Sequence, residues 1–198
     1  TGGLREMLQP NYPEMEIRRI ETIGPKVGDE LKTSALQAIL IALGLVLIYI
    51  TFRFQWRQGI AAIITLLHDV MVVVGIFSIF DKEFTLPVIA ALLTVVGYSL
   101  NDTIVIFDRI RENISKFRKR ELLPLINQSV TETLSRTLLT SGTTLMVVLA
   151  LVFLGGEIIH DFAFALLVGV LIGTYSSIYV ASPTVLWLTK IAPPKTSD

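Results

Sequence analysis

The amino-acid sequence is too apolar for an ordinary water-soluble domain. Its 198 residues are 52% hydrophobic and only 17% charged, and the mean hydropathy is +0.65, as is typical of a chain that crosses a membrane. The formal net charge is zero, and the absence of cysteine excludes disulfides, thiol catalysis and cysteine-based metal sites. These bounds predict a membrane protein, and neither a metal nor another cofactor is expected.

The N-terminal segment, residues 1–34, differs from the rest of the chain. Apolar and charged residues alternate in EMEIRRIETIG, which indicates a β-strand, and a helix is predicted to begin after Gly24 and Pro25. We interpret this segment as the end of an external α+β domain with the helix that enters the membrane. Because the chain opens on TGGLREM, without a signal peptide, we expect a longer polypeptide to precede it.

Apolar segments of membrane-spanning length follow. A bilayer core about 30 Å thick requires roughly 20 apolar residues in a helix. Five segments within residues 35–190 meet this requirement: 35–54, 60–80, 84–107, 136–154 and 162–189. A short tail, residues 191–198, comes after them. The sequence therefore predicts an all-α membrane protein, built as a bundle of five transmembrane helices.

The connections between the predicted spans differ in charge. The turn after the first span carries Arg53 and Arg57, and the connection 108–135 carries six lysines and arginines. The turns at 81–84 and 155–161 together carry one lysine. By the positive-inside rule the two basic connections are cytoplasmic and the other two turns are external. The N-terminal segment is then outside and the C-terminal tail is in the cytoplasm.

Motifs of soluble enzymes are absent from the sequence. It contains no phosphate-binding loop, zinc-ligand spacing or nucleophile elbow, so the protein is not expected to be an enzyme. The basic run in 108–135 lacks interleaved aromatic residues, which argues against nucleic acid as a partner. We interpret this run as a topological anchor, with partner binding as the alternative. One or two amphipathic helices are predicted around it.

Ionisable residues inside the predicted spans are the candidates for function. A charged side chain at the centre of a membrane helix costs on the order of 2.5 to 3.5 kcal/mol on insertion scales, so it should face protein or water. Asp102 lies in the third span, and it is predicted to be a proton relay, with a purely structural carboxylate as the alternative. Asp69, in the second span, is divided evenly between these two roles. The adjacent His68 is interpreted as a packing or hydrogen-bonding residue.

Other polar residues surround Asp102 on a helical projection. Arg136 lies at the inner end of the fourth span, where it either pairs with Asp102 or extends its charge to the interface. Around Asp102 itself, the predicted supporting shell comprises Asn101, Ser99, Tyr98, Gly97 and Arg109. Gly97 is expected to allow the close approach of another helix.

The stretch GYSLNDTIVIFDRIREN, residues 97–113, resembles the SecF family of protein translocase subunits. The resemblance continues in IGPKVGDEL, RFQWR, LLHDV, SVTETLSRTLLTSGTTL and GVLIGTYSSIYVASPTVLW. It implies a member of the resistance, nodulation and division (RND) superfamily with six spans and an external domain after the first. The first span and most of the external domain are missing from this chain. A fragment, or the SecF half of a fusion with SecD, is therefore expected.

The resemblance also implies a function. Members of this family work with SecD beside the SecYEG channel, in the bacterial or archaeal plasma membrane, and draw preproteins outward with the proton motive force. Asp102 then matches the carboxylate that takes up protons, and Arg136 matches the arginine that influences it. The implied partners are SecD, SecYEG, the translocating preprotein, protons and membrane lipids. Two alternatives stay open: half of an RND-type exporter for lipids or small molecules, and a passive scaffold whose buried charges only fix helix packing.

Overall fold

The computed structural model describes residues 25–53, 55–117 and 121–191. The helices are α1 (Pro25–Arg53), α2 (Trp56–Ile79), α3 (Leu86–Lys116), α4 (Leu122–Leu154), α5 (Glu157–Ser176) and α6 (Ser182–Ile191). A π-helical segment, Ser177–Ala181, joins α5 to α6. The chain divides into two compact units between Gln37 and Ala38, and the helix bundle belongs to the second. Because no strand occurs in the described ranges, the all-α class is confirmed.

Four helices of the described chain are long and apolar enough to cross a membrane, rather than the five predicted. They are α2, α3, α4 and the continuous helix Glu157–Ile191. The predicted span 35–54 falls on α1, and the apolar stretch found among its described residues is Leu40–Ile50. The predicted strand in EMEIRRIETIG and the rest of the external remnant lie outside the described residues.

The predicted cytoplasmic connection is mostly continuous with its neighbouring helices. α3 extends to Lys116 and α4 begins at Leu122, so most of 108–135 belongs to the ends of these two helices. Separate amphipathic helices are therefore not present in the described part of this connection. Pro124 lies in the first turn of α4, where its missing N–H removes no helical hydrogen bond. The helix can consequently begin well before the predicted span.

Helices α3 and α5 pack closely through two glycines. Gly169 and Gly173 form a Gly-x-x-x-Gly pattern on α5. A Cβ atom added to Gly169 would lie 2.0 Å from Cγ2 of Val95, and one added to Gly173 would lie 3.1 Å from Cβ of Ser99. Small residues at this spacing allow two membrane helices to approach closely. This approach brings the turn of α5 that follows Gly173 next to the polar residues of α3.

Ion pairs connect the helices at both ends of the bundle. At the end predicted to be cytoplasmic, Arg109 of α3 pairs with Glu132 of α4, with 2.5 Å between Nε and Oε2. At the opposite end, Lys82 pairs with Asp161 of α5, with 2.5 Å between Nζ and Oδ1. Exposed pairs of this kind contribute little to stability, because solvent screens the attraction between the two charges. They fix the relative positions of helices whose main contacts are apolar.

Candidate functional site

Asp69 is a buried carboxylate that joins three helices. It lies on α2 and is 1% exposed. Its Oδ2 atom accepts hydrogen bonds from Ser99 Oγ of α3 at 2.5 Å and from Ser176 Oγ of α5 at 2.8 Å. The second oxygen, Oδ1, lies 3.0 Å from Nδ1 of His68. Both oxygens of this carboxylate therefore have partners, as a buried charge requires.

Asp102 is the second buried carboxylate, and its hydrogen bonding is weaker. It lies on α3 and is 3% exposed. Its Oδ2 atom accepts a hydrogen bond of 3.4 Å from Ser141 Oγ of α4. This distance is near the limit at which such a contact counts as a hydrogen bond. From other helices of the described chain, Asp102 therefore accepts this one long hydrogen bond, whereas Asp69 accepts two shorter ones.

Ser141 is the centre of a small hydroxyl network beside Asp102. Its Oγ atom lies 2.7 Å from Oγ1 of Thr174 on α5 and accepts a 3.4 Å hydrogen bond from the Tyr98 hydroxyl of α3. Thr174 Oγ1 also donates a hydrogen bond of 2.7 Å to the carbonyl oxygen of Val170, one turn earlier. Helices α3, α4 and α5 therefore meet through polar groups at Asp102, just as α2, α3 and α5 meet at Asp69.

Helix α5 contributes a hydroxyl group to the network of each carboxylate. Thr174 contacts the network of Asp102, whereas Ser176, two residues later, donates directly to Asp69. The π-helical segment begins immediately after Ser176. Segments of this kind are often found at functional positions within helices, because the wider turn re-aims side chains. The two networks are therefore neighbours along one short stretch of α5.

Arg136 is exposed on α4, five residues before Ser141. Its positive charge acts on the Asp102 carboxylate. Even so, the salt bridges between described residues include none that joins these two side chains. At the next residue, the buried hydroxyl of Thr137 lacks a hydrogen-bond partner within the described chain. Arg136 is thus close enough for an electrostatic effect, while direct pairing would require a side-chain movement.

The residues predicted to surround Asp102 do not all contact it in the structure. Tyr98 reaches the site through Ser141, whereas Ser99 donates to Asp69 instead. Asn101 is exposed. Arg109 pairs with Glu112 and Glu132, so its predicted place beside Asp102 is wrong. Seven residues along a helix rise about 10 Å, which carries Arg109 two turns away from Asp102.

The predicted close approach at Gly97 is also wrong within this chain. Gly97 is exposed, and a Cβ atom added there would meet nothing within 4 Å. Close contact occurs instead at Gly169 and Gly173. A helical projection gives the angle of each residue but does not say which neighbouring helix lies at that angle.

Sequence reasoning missed three hydroxyl residues of the site. Ser141, Thr174 and Ser176 bind the two carboxylates or each other, yet none was among the predicted site residues. A usable signal was present, because the Gly-x-x-x-Gly pattern at 169–173 marks a close helix interface. Thr174 and Ser176 follow that pattern directly, so they were candidates for contacts between helices.

Comparisons with known proteins give a consistent result. The family described as "Protein export membrane protein SecD/SecF, C-terminal" matches residues 4–191. Protein translocase subunit SecF of Desulfurispirillum indicum is 56% identical over 183 residues, which cover 90% of this chain and 58% of that protein. Protein translocase subunit SecDF of Thermus thermophilus is 53% identical over 166 residues, which cover 84% of this chain and 23% of that protein.

A solved structure shares the arrangement of the helices. The crystal structure of SecDF from Thermus thermophilus, described as a translocon-associated membrane protein, matches with a TM-score of 0.86 and 47% sequence identity. The match covers 96% of this chain and 27% of that one. The chain thus spans little more than half the length of its SecF relative from Desulfurispirillum indicum.

Proposed function

Since the chain belongs to the SecD/SecF family of protein export membrane proteins, we propose that it is the membrane part of an accessory subunit of the Sec translocase. In this proposal the subunit is a multi-pass protein of the plasma membrane. It works with SecD beside SecYEG and uses the proton motive force to draw preproteins outward. Its action is a movement of helices, without covalent catalysis of its own.

The observation that carries this proposal is the environment of Asp102. A carboxylate that is buried in a membrane helix and accepts one long hydrogen bond from a neighbouring helix is costly in its charged form. Protonation removes this cost, whereas ionisation favours contact with Arg136 or water. Asp102 therefore has two protonation states that prefer different surroundings. This is what a proton-driven rearrangement requires.

The energy available is sufficient for a shift of this size. One proton that crosses a potential of 100 mV releases about 2.3 kcal/mol. An energy of about 2.3 kcal/mol changes a two-state equilibrium roughly 50-fold. The shift occurs only if protonation stabilises one helix arrangement more than the other. The contrast between Asp102 and the well-bonded Asp69 supports Asp102 as the group that changes state.

An open face of α3 supports the proposed pairing with SecD. The face exposes small or polar residues at helical spacing: Ala90, Thr94, Gly97 and Asn101. Small residues and amides suit contact between helices, and the Asn101 side chain also hydrogen-bonds Asp102. We therefore place a SecD helix on this face, beside Asp102. There it would complete the close approach that Gly97 lacks within this chain.

The test compares two asparagine substitutions on the same helix. Asp102→Asn keeps the size and hydrogen-bonding ability of the side chain but removes its titration. Asp108→Asn makes the same chemical change near the end of α3, where Asp108 pairs with the exposed Arg53. Full-length complexes with SecD and SecYEG are reconstituted in vesicles at matched amounts. Preprotein translocation is then measured with and without an imposed proton gradient.

We expect Asp102→Asn to assemble normally and to lose the stimulation by the gradient, while Asp108→Asn keeps most of it. Equal stimulation of wild type and Asp102→Asn would reject the relay and favour the passive scaffold. Gradient-driven transport of lipids or small molecules without any effect on preproteins would favour the exporter.

A further inference from the structure

We propose that Ser141 and Thr174 form a hydrogen-bond switch that reports the protonation state of Asp102 to helix α5. This inference rests on the proposed function of Asp102 as the proton carrier. It assigns positioning roles to two hydroxyl groups, one on α4 and one on α5. Neither residue is charged, so each acts only through the direction in which its hydrogen points.

The proposal follows from counting hydrogens. Ser141 has one hydroxyl hydrogen and two acceptors within reach, Oδ2 of Asp102 at 3.4 Å and Oγ1 of Thr174 at 2.7 Å. Thr174 also has one hydroxyl hydrogen, and its acceptors are the carbonyl oxygen of Val170 at 2.7 Å and Ser141 Oγ. A hydroxyl donates one hydrogen at a time. The two side chains therefore cannot satisfy all of these acceptors together.

Two hydrogen-bond arrangements are compatible with one donated hydrogen for each hydroxyl. When Asp102 is charged, Ser141 donates to its carboxylate, and Thr174 turns its hydrogen from Val170 towards Ser141. When Asp102 is protonated, the carboxyl hydrogen is donated to Ser141 Oγ, Ser141 donates to Thr174, and Thr174 donates to Val170. Each hydroxyl keeps its own hydrogen in both arrangements. The added proton resides on Asp102, so no other bond is formed or broken.

The distances in the structure fit the second arrangement. Both contacts that this arrangement strengthens, Ser141 to Thr174 and Thr174 to Val170, measure 2.7 Å, whereas Ser141 to Asp102 measures 3.4 Å. In the first arrangement the contact with Asp102 becomes a charge-assisted hydrogen bond, and such bonds are short. The change of state therefore draws α3 and α4 together at Asp102 and removes the side-chain hydrogen bond from Thr174 to the Val170 carbonyl of α5.

The surroundings of the switch allow α5 to respond. Asp69 holds α5 through Ser176, two residues after Thr174. The π-helical segment follows at once, and within it the carbonyl oxygen of Ser177 accepts a long hydrogen bond of 3.3 Å from Ser182 Oγ. A helix is more easily rewound at such a segment than in a regular turn. Thr174 therefore lies two residues before the point at which Asp69 holds α5, and the π-helical segment begins just beyond that point.

Other titratable groups near Asp102 come from three helices. Tyr98 of α3 donates to Ser141, and Arg136 of α4 acts on Asp102 through its charge. From α2, Asp69 with His68 lies beyond Ser99. On α5, the residues that face this region are the hydroxyls of Thr174 and Ser176, while Tyr175 is exposed. The titratable groups Tyr98, Arg136, Asp69 and His68 stay unchanged in the variants used for the test.

The test uses two substitutions whose effects have opposite sign. Thr174→Val removes the hydroxyl oxygen that competes with Asp102 for the Ser141 hydrogen. Ser141 then donates only to Asp102, and the charged form of Asp102 is favoured. Ser141→Ala removes the donor, so the protonated form is favoured. We measure gradient-driven preprotein translocation by the full-length complex as a function of pH. The half-maximal pH should move down by about one unit in Thr174→Val and up by about one unit in Ser141→Ala, as expected for the loss of one such hydrogen bond.

Matched controls separate this role from a structural one. Thr189 lies on the same continuous helix, and its hydroxyl donates to the carbonyl oxygen of Val185. The variant Thr189→Val should keep the wild-type pH profile. Thr174→Ser keeps the hydroxyl and should also show the wild-type pH profile. Shifts of the same sign, or no shift, in the two test variants would overturn the switch. If Asp102→Asn retains stimulation by the gradient, the proposed function is rejected and the switch with it. If Asp102→Asn loses the stimulation but the half-maximal pH does not shift in the two test variants, only the switch is rejected.

Discussion

Ser176 of α5 and Asp69 of α2 form a 2.8 Å hydrogen bond although 107 residues separate them in the sequence. The same carboxylate oxygen also accepts a hydrogen bond from Ser99 of α3. A single buried group therefore fixes the relative position of three membrane helices. Asp69 was assigned equally to a relay and to a structural role from the sequence, and these contacts favour the structural one.

We accordingly expect Asp69→Asn to weaken the bundle while proton-driven translocation is largely retained. The amide keeps one acceptor but loses the charge that strengthens the two serine hydrogen bonds, at a cost of about 1 to 3 kcal/mol. Unfolding in mixed micelles measures the stability, and vesicle assays measure translocation at matched protein amounts. Loss of the proton stimulation with unchanged stability would instead identify Asp69 as a second relay residue.

The close packing of α5 on α3 predicts a large difference between two glycine substitutions. Gly169→Ala places a Cβ atom against the side chain of Val95, and we expect a loss of about 2 kcal/mol or more in unfolding free energy. Gly142→Ala on α4 meets nothing within 4 Å and is expected to be neutral or to stabilise the helix by up to about 1 kcal/mol. Similar unfolding curves for both variants would show that α3 and α5 are not in tight contact.

Thr137 is predicted to be replaceable by valine. Its buried hydroxyl has no hydrogen-bond partner within the described residues, and an unsatisfied buried hydroxyl is destabilising. Thr137→Val keeps the shape of the side chain, so we expect a gain of about 1 kcal/mol in unfolding free energy. Thr133→Val, which removes a hydroxyl bonded to the carbonyl oxygen of Ser129, is the control and should give no gain. A marked loss of stability in Thr137→Val would reveal a partner for this hydroxyl.

The orientation of the helices is predicted by the distribution of basic residues and is open to a direct test. The chain contains no cysteine, so single cysteines are unambiguous labels. Glu83→Cys lies in the turn predicted to be external, and Ser115→Cys lies near the end of α3 predicted to be cytoplasmic; both positions are exposed. A reagent that does not cross membranes should label Glu83→Cys in intact cells and Ser115→Cys only after lysis. The reverse pattern would invert the topology.

The helical class and the positions of the acidic residues were predictable because they depend on local composition. Apolar segments of spanning length identify helices, and the cost of a charge in hydrocarbon singles out Asp102 and Asp69. The partners of these carboxylates were not predictable in the same way. They are hydroxyl residues on other helices, such as Ser141 and Ser176, which lie 39 and 107 positions away in the sequence.

The lengths of α3 and α4 are underestimated from the sequence, because polar residues were interpreted as the ends of the spans. Charged residues such as Arg109 and Glu132 suggest a loop by polarity, but they form ion pairs that join two continuing helices.

Helices α3 and α4 continue beyond their apolar parts, so their ends project from the rest of the bundle. α4 has 33 residues and α3 has 31, so they are about 50 and 46 Å long, well beyond the hydrocarbon core. Arg109 and Glu132 clamp the two projecting ends to each other, and Asn113 adds a hydrogen bond to Ser129. The two projecting ends are therefore held together over a length that lies outside the apolar part of the bundle. Under the proposed function, a small tilt at Asp102 becomes a larger sideways displacement of both helix ends.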